Sequence, residues 1–173
     1  RFAGEGADVA LCDVKEQELL TTSRMAAAQG RTSKAFVCDL SDLNAVNGML
    51  DAAFADFGKF DILFNNAGIG DTNASFEDIT PELWDWVYTI NVKAPFFITK
   101  RVAKVMIENG IKGRIINTAS TEGKTNRGGS IAYASSKSAL IGLTQALAFQ
   151  LSPYEITVNA VCPGLIDTPI WHR

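Results

Sequence analysis

Arg114-Ile115-Ile116-Asn117-Thr118-Ala119-Ser120 is an apolar, β-branched run that ends in small polar residues. Such a run reads as a buried strand opening into a loop. Ser130 to Leu151, just downstream, reads as a long helix, and Ile156-Thr157-Val158-Asn159-Ala160-Val161 reads as the next strand. Strand, helix and strand in that succession predict a right-handed βαβ unit with both strands parallel in one sheet.

The same alternation runs back to the start of the chain. Asp8 to Cys12 reads as strand, Glu16 to Gln29 as helix with Gly30 as its stop, and Lys34 to Cys38 as strand. Ser41 or Asp42 can cap a helix that runs to about Phe57 and ends at Gly58. Phe60 to Phe64 reads as strand. Thr80-Pro81-Glu82 is a helix start, with Thr as the cap and Pro at the first helical position. That helix is expected to reach about Glu108, with a bend near Asn91 to Pro95. Near-continuous apolar strands suit a sheet covered on both faces. The predicted fold is therefore α/β: a doubly wound, Rossmann-type parallel sheet with helices on both faces. Such sheets bind ligands beyond the C-terminal ends of their strands. Asp13, Asp39, Asn65, Ser120 and Pro163 all fall at or just past predicted strand ends.

At 173 residues, 47% hydrophobic and 20% charged, the chain has ordinary globular composition and reads as a single domain. A net charge of −3 without a dense Lys/Arg cluster argues against nucleic acid or an anionic membrane as partner. No apolar run reaches the roughly eighteen residues of a membrane span. The three cysteines, Cys12, Cys38 and Cys162, fall in or beside predicted strands, which favours reduced thiols in a cytoplasmic protein. The one histidine, His172, sits beside the chain end, and no Cys/His cluster has metal spacing. A metal centre or a Ser-His-Asp mechanism is not expected.

Within the helix predicted over Ser130 to Leu151, Tyr133 and Lys137 stand four residues apart and project from one face. An ammonium held beside a phenol favours the phenolate, which lowers the Tyr pKa from about 10 toward neutrality. A Tyr so tuned can exchange a proton near pH 7. Taken alone, the spacing is more often a solvated helix face. Its company changes that reading. Ser120 precedes Tyr133 by thirteen residues, Asn65-Asn66-Ala67-Gly68 follows a strand, Asn91 lies within a helix, and Pro163-Gly164 follows the last strand. In this order the motifs resemble the short-chain dehydrogenase/reductase family, and the resemblance covers essentially the whole chain.

That resemblance implies an NAD(H)-dependent oxidoreductase that interconverts a secondary alcohol and a ketone. It makes Tyr133 the general acid/base, with Lys137 lowering its pKa and binding the nicotinamide ribose. Ser120 orients the substrate oxygen, and Asn91 holds a water that links Lys137 to solvent. Ala119 stands where many members carry a second Ser. Asp13 would accept the adenosine ribose hydroxyls and repel a 2′-phosphate, so NAD(H) is expected over NADP(H). A helix cap near Lys15 is its plainer role. Asp39 and Leu40 resemble the pair beside the adenine, although Asp39 also suits a turn. Asn66, Ala67 and Gly68 line the cofactor cleft, and Asn65 to Gly68 can equally be a tight turn. Pro163, Gly164, Ile166 and Thr168 resemble the segment that contacts the nicotinamide, or else a simple Pro-Gly loop. Glu155 departs from the usual Gly, in a turn where φ > 0 is expected.

Glu122, Asn126 and Arg127 lie between Ser120 and Tyr133, and their polarity hints at a hydroxylated substrate such as a polyol. A solvated loop is the alternative. The family's first strand and Gly-rich turn are expected ahead of Arg1, and its closing segments beyond Arg173. The chain thus reads as an internal fragment of a protein of roughly 250 residues, with the first strand of the sheet missing. A truncated, inactive homologue serving as a binding or scaffold module is the rival reading. A sugar-nucleotide epimerase of the extended branch shares Tyr-x-x-x-Lys but fits Asn65 to Gly68 and Pro163-Gly164 less well. The family pairs its long helices in homodimers, often within homotetramers, and here Phe96, Phe97, Leu140 and Leu143 could face outward, or else pack against the sheet as ordinary core.

Overall fold

The computed structural model describes residues 1–71, 74–125 and 130–166. The expectations that fall on Asn126, Arg127, Thr168 and His172 lie outside these described residues. The chain divides into two units, Arg1–Gly58 and Lys59–Arg173.

In the first unit a short 3-10 turn, Ala3–Glu5, ends at Gly6 in the left-handed region (φ 95°). Strand β1 (Val9–Asp13), helix α1 (Glu16–Ala27), strand β2 (Ser33–Val37) and helix α2 (Leu43–Phe57) follow. β1 and β2 pair in parallel, with Asp13 opposite Val37. Local chemistry sets the ends of α2. Asp42 accepts a hydrogen bond from the Asn44 N–H at 2.8 Å, and Gly58 leaves the helix at φ 71°. Leu19, Val46, Leu50 and Ala53 are buried and form this unit's core.

The second unit contains β3 (Ile62–Asn65), α3 (Pro81–Tyr88), α4 (Ala94–Glu108), β4 (Arg114–Thr118), α5 (Glu122–Thr125), α6 (Ile131–Leu151) and β5 (Thr157–Val161). Its strands run parallel in the order β3-β4-β5. Thr80 caps α3 through a 3.2 Å bond from the Leu83 N–H. The expected bend is a turn of π-helix, Thr89–Lys93, between α3 and α4. An inserted π turn interrupts the regular hydrogen-bond ladder, and such turns favour functional sites. Val87, Met106, Ile115, Ala132, Leu140 and Ile156 fill the core. Leu140 is only 2% exposed, so of the two placements the sequence left open it takes the inward one. Phe97 is exposed, while Phe96, Ala103, Ile107, Leu147 and Leu151 line an apolar groove between α4 and α6.

Parallel strands alternating with helices in both units make this a Rossmann-like α/β fold. Each unit holds its own parallel sheet, β1-β2 in the first and β3-β4-β5 in the second. Cys12, Cys38 and Cys162 are all free thiols. Among the described residues no helix is long and apolar enough to cross a membrane.

Candidate active site

In the first unit, the site residues read from sequence sit where β1 and β2 end. Asp13 is exposed, and one carboxylate oxygen accepts the Lys15 N–H at 2.9 Å. This cap-like bond leaves the other oxygen for a ligand. Asp39 is likewise exposed and accepts the Ser41 N–H at 2.8 Å, with Leu40 half-buried beside it. Upstream, the Cys12 thiol is pushed up to about 12, chiefly by burial. That keeps it protonated and unreactive.

In the second unit, four elements bring Gly68, Asn91, Ser120, Tyr133 and Lys137 together. Lys137, in the second turn of α6, is 3% exposed, and its Nζ donates to the Thr118 carbonyl at 2.7 Å. The same Nζ lies 5.6 Å from the centre of the Tyr133 ring. Burial pushes the Lys137 pKa down to about 8. Gly68 passes close above this amine. A Cβ there would stand 2.9 Å from Lys137 Nζ and 3.3 Å from Asn91 Oδ1, so only a bare backbone fits.

Asn91, on the π turn, is fully buried. Its Nδ2 donates to the Ile69 carbonyl (2.9 Å) and to Ser136 Oγ (3.0 Å), and its Oδ1 accepts the Ile69 N–H at 2.9 Å. The side chain therefore clamps the segment after Gly68 onto α6. Ser136, buried on α6, is one of the clamp's partners. Thr118, through its carbonyl, went unnoticed in the sequence, because a backbone acceptor carries no residue signature.

Ser120 is 7% exposed, lies two residues past β4 and sits beside the Tyr133 phenol, close enough to offset part of the rise in its pKa. Its hydroxyl also accepts the Glu122 N–H at 3.2 Å. The chain on either side of Ser120 is laced to the exit of β5: Ala119 N–H to the Val161 carbonyl (2.8 Å) and Thr121 N–H to the Pro163 carbonyl (3.0 Å). Asn66 accepts from the Thr118 hydroxyl at 3.2 Å. Ala67, Gly164 and Ile166 are exposed and stand apart from this cluster's hydrogen bonds. Asn65 turns inward and donates to Thr99 and Asn117, binding β3 to its neighbours.

The Tyr133 pKa corrects an expectation. Burial raises it, the neighbouring Ser120 hydroxyl opposes this, and the Glu122 carboxylate raises it further. Lys137 is not among the groups that set this shift; its ammonium donates to the Thr118 carbonyl and lies 5.6 Å from the ring centre. At pH 7 the phenol is thus a neutral acid beside a largely protonated amine. Together they can donate a proton to an oxygen and hydrogen-bond a diol.

The chain is similar to known proteins along almost its whole length. The chain is 39% identical to galactitol 2-dehydrogenase of Agrobacterium fabrum, across 98% of this chain and 65% of that protein. It is also 39% identical to granaticin polyketide synthase putative ketoacyl reductase 1 of Streptomyces violaceoruber, across 100% of this chain and 64% of that one. A solved NAD+-bound xylitol dehydrogenase superposes with a TM-score of 0.91 at 38% identity, covering 98% of this chain and 65% of that one. The chain thus spans about two thirds of the length of the relatives it matches. The short chain dehydrogenase family description matches it from residue 1 to residue 173. The chain belongs to the short-chain dehydrogenase family.

Proposed function

We propose that the protein is an NAD(H)-dependent oxidoreductase that interconverts a secondary alcohol and a ketone, with Tyr133 as the general acid/base. The observation that carries this reading is the buried Lys137 amine, pinned by the Thr118 carbonyl beneath the Tyr133 ring while Ser120 engages the phenol. A buried ammonium is expensive to keep, and its presence beside a titratable phenol in a cleft points to chemistry.

The nicotinamide, when bound, supplies or accepts the hydride. The residues present suit it: Gly68 offers bare backbone beside Lys137, and a Cβ there would fill that space. In the reducing direction Tyr133 gives its phenolic proton to the carbonyl oxygen, and Ser120 hydrogen-bonds the same oxygen as negative charge develops. Lys137 holds the ribose hydroxyls and places positive charge near the phenol as it becomes phenolate. Asn91 keeps the Gly68–Ile69 backbone in place over Lys137. Asn66, Ala67, Pro163, Gly164, Ile166 and Thr168 complete the nicotinamide side, and Asp39 and Leu40 the adenine side. Asp13 selects NAD(H) over NADP(H), since its carboxylate accepts ribose hydroxyls and repels a 2′-phosphate.

The 173 residues belong to one cofactor-binding domain of a cytoplasmic enzyme in this reading. The apolar groove between α4 and α6 is where a second copy packs, giving a homodimer or homotetramer. Polyols are the substrates to try first, because the Glu122 carboxylate beside Tyr133 can accept a neighbouring hydroxyl and two similar proteins are polyol dehydrogenases by name. The test is polyol-dependent NAD+ reduction by the wild type and by Tyr133→Phe. We expect turnover that falls by about a thousandfold or more in the variant, with NADH binding retained. Equal turnover by both proteins overturns the assignment of Tyr133. NADH binding with no turnover of any alcohol or ketone favours a binding module.

A further inference from the structure

We propose that Asp71 is a positioning residue for Tyr133, capping the start of α6 from a distant segment and thereby fixing the phenol. The inference rests on the reading of Tyr133 given above. Helix α6 begins at Ile131, and its first backbone N–H groups have no acceptor within the helix. Ser130 occupies the cap position, yet its side chain makes no capping bond. Asp71, fully buried and 62 residues away in sequence, serves as the cap instead, and its Oδ2 accepts the Tyr133 N–H at 3.2 Å. Tyr133 is the third residue of the helix, and its N–H is one that a cap ordinarily satisfies. A carboxylate at that end also faces the positive pole of a 21-residue helix.

The bond completes a three-point attachment of one short segment. The Gly68 backbone abuts Lys137 Nζ, Asn91 grips both the N–H and the carbonyl of Ile69, and Asp71 grips Tyr133. The first turn of a helix frays most readily, and Tyr133 lies on it. Lys137 lies one turn deeper and has its own anchor in the Thr118 carbonyl. Losing Asp71 therefore loosens Tyr133 while leaving Lys137 in place, and an ill-placed acid lowers the rate of the chemical step more than it weakens cofactor binding.

Two measurements test this on the full-length protein. In steady-state kinetics, Asp71→Ala should lower kcat by about tenfold or more while KM for NAD+ stays within about twofold. Asp71→Asn, which keeps an amide oxygen in the same position, should recover most of that loss. In backbone amide exchange, Asp71→Ala should speed exchange at Tyr133 by about tenfold or more and leave Lys137 unchanged. Unaltered kcat in Asp71→Ala overturns the proposal, as does equal acceleration of exchange throughout the protein. If Asp71→Ala fails to fold, Asp71→Leu, which keeps the shape and removes both acceptor oxygens, decides: faster Tyr133 exchange with lowered kcat supports the cap, and wild-type values of either overturn it. A wild-type protein with no alcohol-dependent turnover defeats the functional reading, whereas the exchange measurement still decides whether Asp71 holds Tyr133.

Discussion

Lys137→Met exchanges the buried ammonium for an apolar side chain of similar length, and its consequence depends on pH in a calculable way. Burial holds the Lys137 pKa at about 8 in the folded protein, against 10.5 ordinarily. Between those two values the unfolded chain binds a proton that the folded chain does not, so stability rises with pH. Below the lower value the full penalty of the buried charge is present, about 3 kcal/mol. Relative to Lys137→Met, the wild type should gain about 1 kcal/mol between pH 7 and 9, and about 2.5 kcal/mol by pH 10. Tyr133, Cys12 and Cys38 have raised pKa values and act oppositely: the unfolded chain ionises first, and stability falls at alkaline pH. They are present in both proteins, so the difference cancels them. At pH 7 the variant also loses the bond to the Thr118 carbonyl, worth about 1–3 kcal/mol for a charged donor. It should therefore match or exceed the wild type by up to about 2 kcal/mol, although the proposed activity requires Lys137. Urea unfolding of both proteins at pH 7, 8, 9 and 10 reads this directly. Parallel stability profiles would refute the reasoning, since they mean that the amine is not desolvated in the folded state.

Other outcomes follow from single contacts. Gly123→Ala places a Cβ 2.7 Å from the Lys137 carbonyl carbon and 2.9 Å from the Ser138 nitrogen, both in the α6 backbone. It should destabilise by about 1–3 kcal/mol in denaturant titrations, and an unchanged midpoint would show that α5 can shift freely. Glu155 is the one non-glycine among the described residues with positive φ, at 56°, and its ion pair with Lys112 is exposed. Glu155→Gly should raise stability by about 0.5–1 kcal/mol, read as a higher melting temperature, because relief of strain outweighs the added flexibility of the unfolded chain. Asp13→Ser should shift the ratio of NADH to NADPH dissociation constants by about tenfold or more toward NADPH. A fluorescence titration with both cofactors measures the ratio, and no change removes Asp13 from cofactor selection.

Much of the fold lay in local pattern and could be read before any coordinates. The caps at Asp42, Thr80 and Gly58 act within four residues, so their chemistry is written in adjacent letters. Each β-strand expected from an apolar run appears within two residues of its predicted ends. The bend before Pro95 was expected from Asn91 and Pro95, though not its form as a π turn. Helix α5 went unpredicted, because four residues show no periodicity. The strained turn at Glu155 was expected from the family resemblance, in which a Gly usually stands at that position.

What the sequence by itself determined, then, is the alternation of elements and the spacing that puts Tyr133 and Lys137 on one helix face. The tertiary structure alone decided their electrostatics. Adjacency suggested a lowered Tyr133 pKa, but burial and Glu122 raise it, and the Lys137 ammonium turns to the Thr118 carbonyl. It alone revealed Asp71, which meets Tyr133 across 62 residues, and it alone placed Leu140 inside. The reason is physical. Backbone propensity and capping act over one helical turn, whereas desolvation and long-range hydrogen bonds depend on what packs against a group, and packing is settled only when distant segments meet.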